Sequence, residues 1–286
     1  MRLAHLVLAH NHPSQLLRLV KSLSSQNADI YIHLDKKADP KEFASIKNIP
    51  NTYFVKKNVR MTWCEYSTIQ GTLNGIEEIL ATGITYSHIN LLSGNDYPLQ
   101  SAATIEEFLF SNPDKTYMWY DLIFNDWTHG QRRMNNYCFG DYGFRGRYIL
   151  QALANMVLPH RRLPKGLKAY GRAQWLTITP ACASYVIYFI KANPAVQRFF
   201  RMTWAVDEVF FQTILCNSPS LRKHIVNDNL RYIVLNEEYR PTTLTIADAE
   251  RLNASRKFYA RKFDSQVDPI ILDYLTKKQQ PILVSQ

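Results

Sequence analysis

Apolar residues fall into short runs and helical stripes that alternate down the first hundred positions. Residues 3–9 (LAHLVLA) form a continuous apolar run of strand length, the kind buried on both faces. Pro13-Ser14 then opens a helix with Leu16, Leu17, Val20 and Leu23 on one face. Residues 29–35 (DIYIHLD) predict a second buried strand ending at Asp35-Lys36-Lys37. A short helix follows over 43–46, and a third strand over 52–55. Residues 66–80 are amphipathic, with Ile69, Leu73, Ile76 and Leu80 aligned, and 88–92 make a fourth strand closed by Ser93-Gly94-Asn95-Asp96. Strands alternating with helices predict an α/β fold with a parallel sheet that takes its ligands at the carboxyl ends of the strands. His10 and His12, Asp35 and Asp96 stand at three of those ends.

From 116 to 164 the pattern degrades into MWYDLIFNDW and RRMNNYCFGDYGFRGRY, aromatic, Asn, Gly and Arg without a clean period. A long irregular segment inside a domain is usually functional. Aromatic rings beside hydrogen-bonding groups suit a sugar, so Trp119, Asp121, Trp127 and Arg145, with Trp175 further on, are candidate sugar contacts. Periodicity returns with a strand over 171–179 and a helix over 181–191. It continues into TWAVDEVFFQTILCN (203–217), where Val206, Val209, Phe210, Thr213 and Ile214 predict a helix beginning at Asp207-Glu208. Asp207 stands where a carboxylate caps a helix, and Glu208, without that duty, is a candidate general base; both acids could equally serve only the helix N-terminus. A strand over 230–235, a helix over 246–252 and a last helix over 269–275 complete the chain. No repeat, low-complexity tract or linker interrupts it, so one domain is expected over 1–286.

Composition narrows the classes. Apolar residues at 46% and charged residues at 20% of 286 are those of a globular protein. No apolar run reaches the ~18–20 residues that span a bilayer. The N-terminal apolar run is broken by His5, His10, Asn11 and His12 and lacks a cleavage site, so a strand is expected there and not a signal peptide. Four widely spaced cysteines without a CxxC pattern suit reduced thiols and a cytoplasmic location.

The formal net charge of +10 attracts nucleic acid, anionic lipid or phosphorylated ligands. No nucleic-acid motif accompanies it, and no such partner is expected. Ten glycines form neither GxGxxG nor a P-loop, so a bound nucleotide would be held by side chains.

The blocks LAHLVLAHNHPSQLLRLVKSL, IYIHLDKKAD, VRMTWCEYSTIQGTLNGI, YSHINLLSGNDYPLQS, GRAQWLTITPACASYVI, WAVDEVFFQTIL and FYARKFD occur in this order over nearly the whole chain. Together they resemble the core-2/I-branching β-1,6-N-acetylglucosaminyltransferases and their relatives, the peptide O-xylosyltransferases. The resemblance implies a glycosyltransferase-A-like fold, a Rossmann-like mixed sheet flanked by helices. Residues 1–115 would form the nucleotide-sugar half and 116–286 the acceptor and catalytic half. It also implies an inverting reaction on a UDP-sugar, N-acetylglucosamine favoured, in members that mostly need no metal. Asp35 then matches a position near the uridine, and Asp96 falls where metal-dependent transferases carry Asp-x-Asp. Glu208 matches the catalytic base and Lys262 a residue on the donor diphosphate. A second diphosphate arginine belongs shortly before LTIAD, where Arg240 is the candidate and Arg231 the alternative. His10 and Arg261 join the donor set.

No Asp-x-Asp occurs in the sequence, so the leaving diphosphate would be stabilised by Lys262, Arg261 and Arg240, with no cofactor beyond the co-substrate. The acceptor would be a hydroxyl of a glycan, glycolipid or other molecule, and a lipid-linked one would bring the protein to the inner face of the cytoplasmic membrane. Two other readings compete. His10, His12, Asp35 and Asp96 could hold the metal of a hydrolase or phosphoesterase. The basic charge could also mark a non-catalytic surface module.

Overall fold

The computed structural model describes residues 1–279. In chain order it contains β1 (Arg2–Ala9), α1 (Pro13–Leu23), β2 (Ala28–Leu34), β3 (Thr52–Phe54), α2 (Tyr66–Ala81), β4 (Tyr86–Ser93), β5 (Tyr97–Pro98), α3 (Ala102–Phe110) and β6 (Thr116–Leu122). Next come α4 (Gln131–Asn135), α5 (Arg147–Val157), β7 (Tyr170–Ile178), α6 (Pro180–Ala192), α7 (Pro194–Arg201), α8 (Phe210–Cys216) and α9 (Pro219–Arg222). The chain closes with β8 (Ile225–Val226), β9 (Arg231–Ile233), α10 (Ala249–Ala254), β10 (Tyr259–Arg261) and α11 (Pro269–Gln279). The fold is mixed α/β, as the alternating pattern predicts. Among the described residues the contacts group into two units, the first made of 1–55, 84–113 and 230–279, the second of 56–83 and 114–229.

In the first unit four strands lie in the order β3-β2-β1-β4, all parallel. β1 pairs with both β2 and β4 and is buried from Leu3 to Ala9, which is why its sequence is apolar without alternation. The order reverses at β1, so the carboxyl ends of β1 and β4 form a switch point, where parallel sheets open a crevice. Helix α1 buries Leu16, Leu19, Val20 and Leu23, each contributing about 1.5–3 kcal/mol. The expected stripe is corrected by one position: Leu17 is half-buried, and the polar Gln15 is inside. A second sheet places β10 between β5, antiparallel, and β9, parallel. Helix α3 escaped the periodic reading, although Ser101 caps it by accepting the Thr104 N–H at 3.2 Å.

In the second unit β6 runs antiparallel to β7 and parallel to β8. Helix α8 is buried along its whole length and is fastened to β7 by Thr213, whose hydroxyl accepts from Tyr170 N (3.1 Å) and donates to Tyr170 O (2.8 Å). Two expectations fail here. The stretch 116–164, expected to be irregular, holds β6, α4 and α5. The aromatic and polar run of β6 hides its strand, whereas α5 carries an apolar stripe at helical spacing that the reading passed over inside an aromatic and basic stretch, and none of that stripe is buried. The helix expected from Asp207 is instead a 3-10 turn, Val206–Glu208, broken from α8 at Val209 (φ −128°, ψ −18°). The residues at the cap positions are Ala205 for the turn and Val209 for α8, so Asp207 lies inside the turn and not at a helix start as expected; its side chain is buried.

All four cysteines are free and buried. Among the described residues no helix is long and apolar enough to cross a membrane.

Candidate functional site

At the switch point of the first unit, Asp35 follows β2, buried, accepting the Lys37 N–H (2.8 Å) and pairing with the Lys37 ammonium (3.5 Å). His10 follows β1. Desolvation lowers its imidazole pKa despite the opposing pull of Asp35, and nearby Lys37, His12 and Lys262 push the same way as desolvation. His10, Asp35 and Lys262, three of the residues singled out for the donor, therefore share one electrostatic neighbourhood.

Asp96 is fully buried, its carboxylate accepting the N–H (2.8 Å) and hydroxyl (3.0 Å) of Ser93 and facing Arg261 Nε at 3.5 Å. What it does in this fold is close the Ser93–Asp96 turn and hold Arg261. The segment after Lys262 is fixed by a residue that no motif flagged. Buried Gln15 donates to Gly94 O (3.0 Å) and Phe263 O (3.1 Å) and accepts from Ser265 N (2.7 Å). Asn95 adds a bond to Phe263 O (3.0 Å) and accepts Phe263 N (2.8 Å). The turn after β4 and the segment after Lys262 are thus one hydrogen-bonded block. The two candidate arginines separate: Arg240 is 70% exposed and pairs with Glu238, whereas Arg231 is buried, donating to Asn90 and Leu91 O. Burial removes Arg231 as a diphosphate ligand.

In the second unit the carboxylate of Glu208 is the centre of a compact group. Ala205, in the left-handed region (φ 49°, ψ 43°), turns the chain so that Glu208 leaves the α8 axis. Gly171 of β7 lies so close that a Cβ there would stand 2.6 Å from Glu208 O and 2.6 Å from Val209 Cγ1. Arg133 of α4 donates to Glu208 Oε2 at 2.7 Å, with 33% of the Glu208 side chain still exposed. The Arg133 guanidinium lies over the rings of Trp127 (4.6 Å) and Trp204 (5.2 Å). Arg172 lies over Trp119 (4.9 Å) and Trp127 (5.6 Å) and pairs with Asp121 at 3.4 Å. Trp119, Asp121 and Trp127 therefore share this cluster, Trp175 is buried on β7, and Arg145 is exposed just before α5. Sequence reasoning missed Arg133, Arg172 and Trp204. The Arg132-Arg133 doublet was visible, but its partner lies 75 residues away.

Burial pushes the Glu208 carboxyl up to about 7, Arg133 opposing and Asp207 adding to the rise. A carboxyl so placed can accept a proton near neutrality, the condition for general-base work. A general base acts in its deprotonated form, so with Glu208 in that role kcat/KM is expected to fall as pH drops below about 7. A pH profile that stays flat down to pH ~5 would separate Glu208 from the reaction.

The metal-site alternative gains no support. Among the described residues no three His, Cys, Asp or Glu side chains gather as they would around an ion, and Asp96 is occupied as described.

The chain is 27% identical to xylosyltransferase 2 of Rattus norvegicus over 96% of its length, and 22% identical to xylosyltransferase oxt of Drosophila melanogaster over 90%. It spans about a third of the length of these relatives, 33% and 31%. Mouse xyloside xylosyltransferase 1 superposes only loosely, with a TM-score of 0.35, 9% identity and coverage of 77% of this chain and 83% of that one. Residues 3–255 match the family model described as Core-2/I-Branching enzyme, and the chain belongs to that family.

Proposed function

We propose that this protein is an inverting glycosyltransferase, moving a sugar from a UDP-sugar to an acceptor hydroxyl with Glu208 as general base and without a metal ion. The observation that carries the reading is the Glu208 carboxyl itself: one-third exposed, raised towards neutrality, and gripped by an Arg133 that lies over the rings of Trp127 and Trp204. Glu208 takes the proton of the acceptor hydroxyl as its oxygen attacks C1 of the sugar. The bond from C1 to the diphosphate breaks and its electron pair leaves with UDP. Lys262 and Arg261 neutralise that charge, Arg261 held in place by Asp96. Arg240 would have to release Glu238 to join them. Asp35 and His10 belong with the nucleotide, and Trp119 and Asp121, both held by Arg172, with the acceptor, since an indole ring beside a carboxylate suits a sugar or another polyhydroxyl group. N-acetylglucosamine is the first donor to try; the relatives' names make xylose the second.

The test is binding and hydrolysis of a panel of UDP-sugars by the full chain, with and without EDTA. One donor is expected to bind selectively, unaffected by EDTA, and Lys262→Ala to weaken it by about ten-fold or more. Loss of binding in EDTA would make a metal part of the mechanism. No UDP-sugar binding under either condition would end the reading.

A further inference from the structure

Helix α5 is inside out. Its polar face is pinned to its own unit: Gln151 accepts the Phe139 N–H at 2.8 Å, and Asn155 accepts from Tyr137 N (2.7 Å) and donates to Tyr137 O (2.9 Å). Its apolar face points to solvent, with Ile149 70%, Met156 75% and Val157 73% exposed, and Leu150 and Leu153 beside them. At 100° per residue these five positions fall within one third of the helix circumference, a continuous stripe. Water-facing stripes of this kind on a fixed helix need an occupant. Hydrogen bonding of the opposite face prevents the helix from simply rolling over to bury it.

The charge around it says what that occupant is. Between Asp141 and Asp207 the sequence has no carboxylate and ten Arg and Lys, so the whole formal excess of +10 comes from this stretch. Arg145 precedes the helix and Arg162, Lys165 and Lys168 follow it, all exposed. An apolar stripe with cations at its ends is the pattern of a helix that lies in a bilayer interface, its side chains among the acyl chains and its cations at anionic headgroups. A second copy of the chain would bring the same cations against each other.

We infer that α5, with Arg162, Lys165 and Lys168, docks the protein on an anionic lipid surface. The inference stands on the second unit alone and is independent of the transfer chemistry.

The test is co-sedimentation of the full chain with vesicles of phosphatidylcholine, or of phosphatidylcholine mixed with phosphatidylglycerol. The parent is expected to partition to the mixed vesicles and to be weakened by salt. Ile149→Ser/Leu153→Ser/Met156→Ser should lower that partition more than about ten-fold, with an unchanged unfolding midpoint because the three side chains are exposed. Arg162→Gln/Lys165→Gln/Lys168→Gln, which leaves the helix intact, should erase the preference for the anionic vesicles. A parent that stays in the supernatant with both vesicles overturns the inference, as does a charge variant that partitions like the parent. A parent that is dimeric by ultracentrifugation and made monomeric by the triple Ser variant overturns it too, assigning the stripe to self-association.

Discussion

Glu208→Gln is expected to lower sugar transfer by about 10²–10⁴-fold while UDP binding stays near that of the parent. The substitution keeps size and shape and leaves an oxygen for Arg133, so the cluster with Trp127 and Trp204 persists. What it removes is the basicity that burial raises towards neutrality. The split between rate and binding is the informative part, because the groups proposed for the diphosphate, Arg261 and Lys262, lie in the first unit and the base in the second. Steady-state transfer with UDP titration on the same sample checks it. A variant that transfers within a few-fold of the parent would remove Glu208 from the role.

Gly171→Ala should be the most damaging single-methyl change near the site. Its Cβ would stand 2.6 Å from the Glu208 carbonyl oxygen, 2.6 Å from Val209 Cγ1 and 3.1 Å from Trp127 Cζ3. Of these the carbonyl belongs to backbone that cannot swing aside, since the turn is bounded by the left-handed Ala205 and by α8, which Thr213 fastens to β7. Overpacking of this kind costs about 1–3 kcal/mol. Relief must come by moving Glu208, so activity should fall together with the unfolding midpoint, and displacements of about 1 Å at a reacting group cost on the order of 100-fold in rate. Thermal unfolding and transfer assays read both effects. If neither moves, the close approach of β7 to the Glu208 turn does not position the base.

Both predictions turn on contacts of different legibility. The strands β1, β2 and β4 and the helices α1, α2 and α6 were readable because each buries one face or both against a core, and burial writes a period into the residues. The same logic explains what was lost. Helix α5 has a helical period in its residues but contributes nothing to the core, so the stripe marks the helix without marking burial, and β6 mixes aromatic and polar residues along a strand that is only partly covered. The break at Val209 was also invisible, because Val206, Val209 and Phe210 are all buried whether or not one helix joins them.

The candidate site divides in the same way. From the sequence alone came the types of group, with His10, Asp35 and Asp96 placed at strand ends, Glu208 at a helix start and Lys262 through the family resemblance, together with a basic excess suited to an anionic ligand. Their partners came from the tertiary structure, because hydrogen bonds and ion pairs between distant segments leave no local pattern. Only the fold shows Asp96 turned inward to Ser93 and Arg261, Arg231 buried against Asn90, and Gln15 tying the turn after β4 to the segment after Lys262. The Arg133 grip on Glu208 is of this kind as well. The sequence by itself determined which residues can carry charge and which faces must be buried, since both are properties of single side chains and their spacing. Which charge meets which, and which carboxyl is shielded enough to hold a proton near neutrality, only the packed chain decided, because desolvation and pairing exist only once distant segments touch.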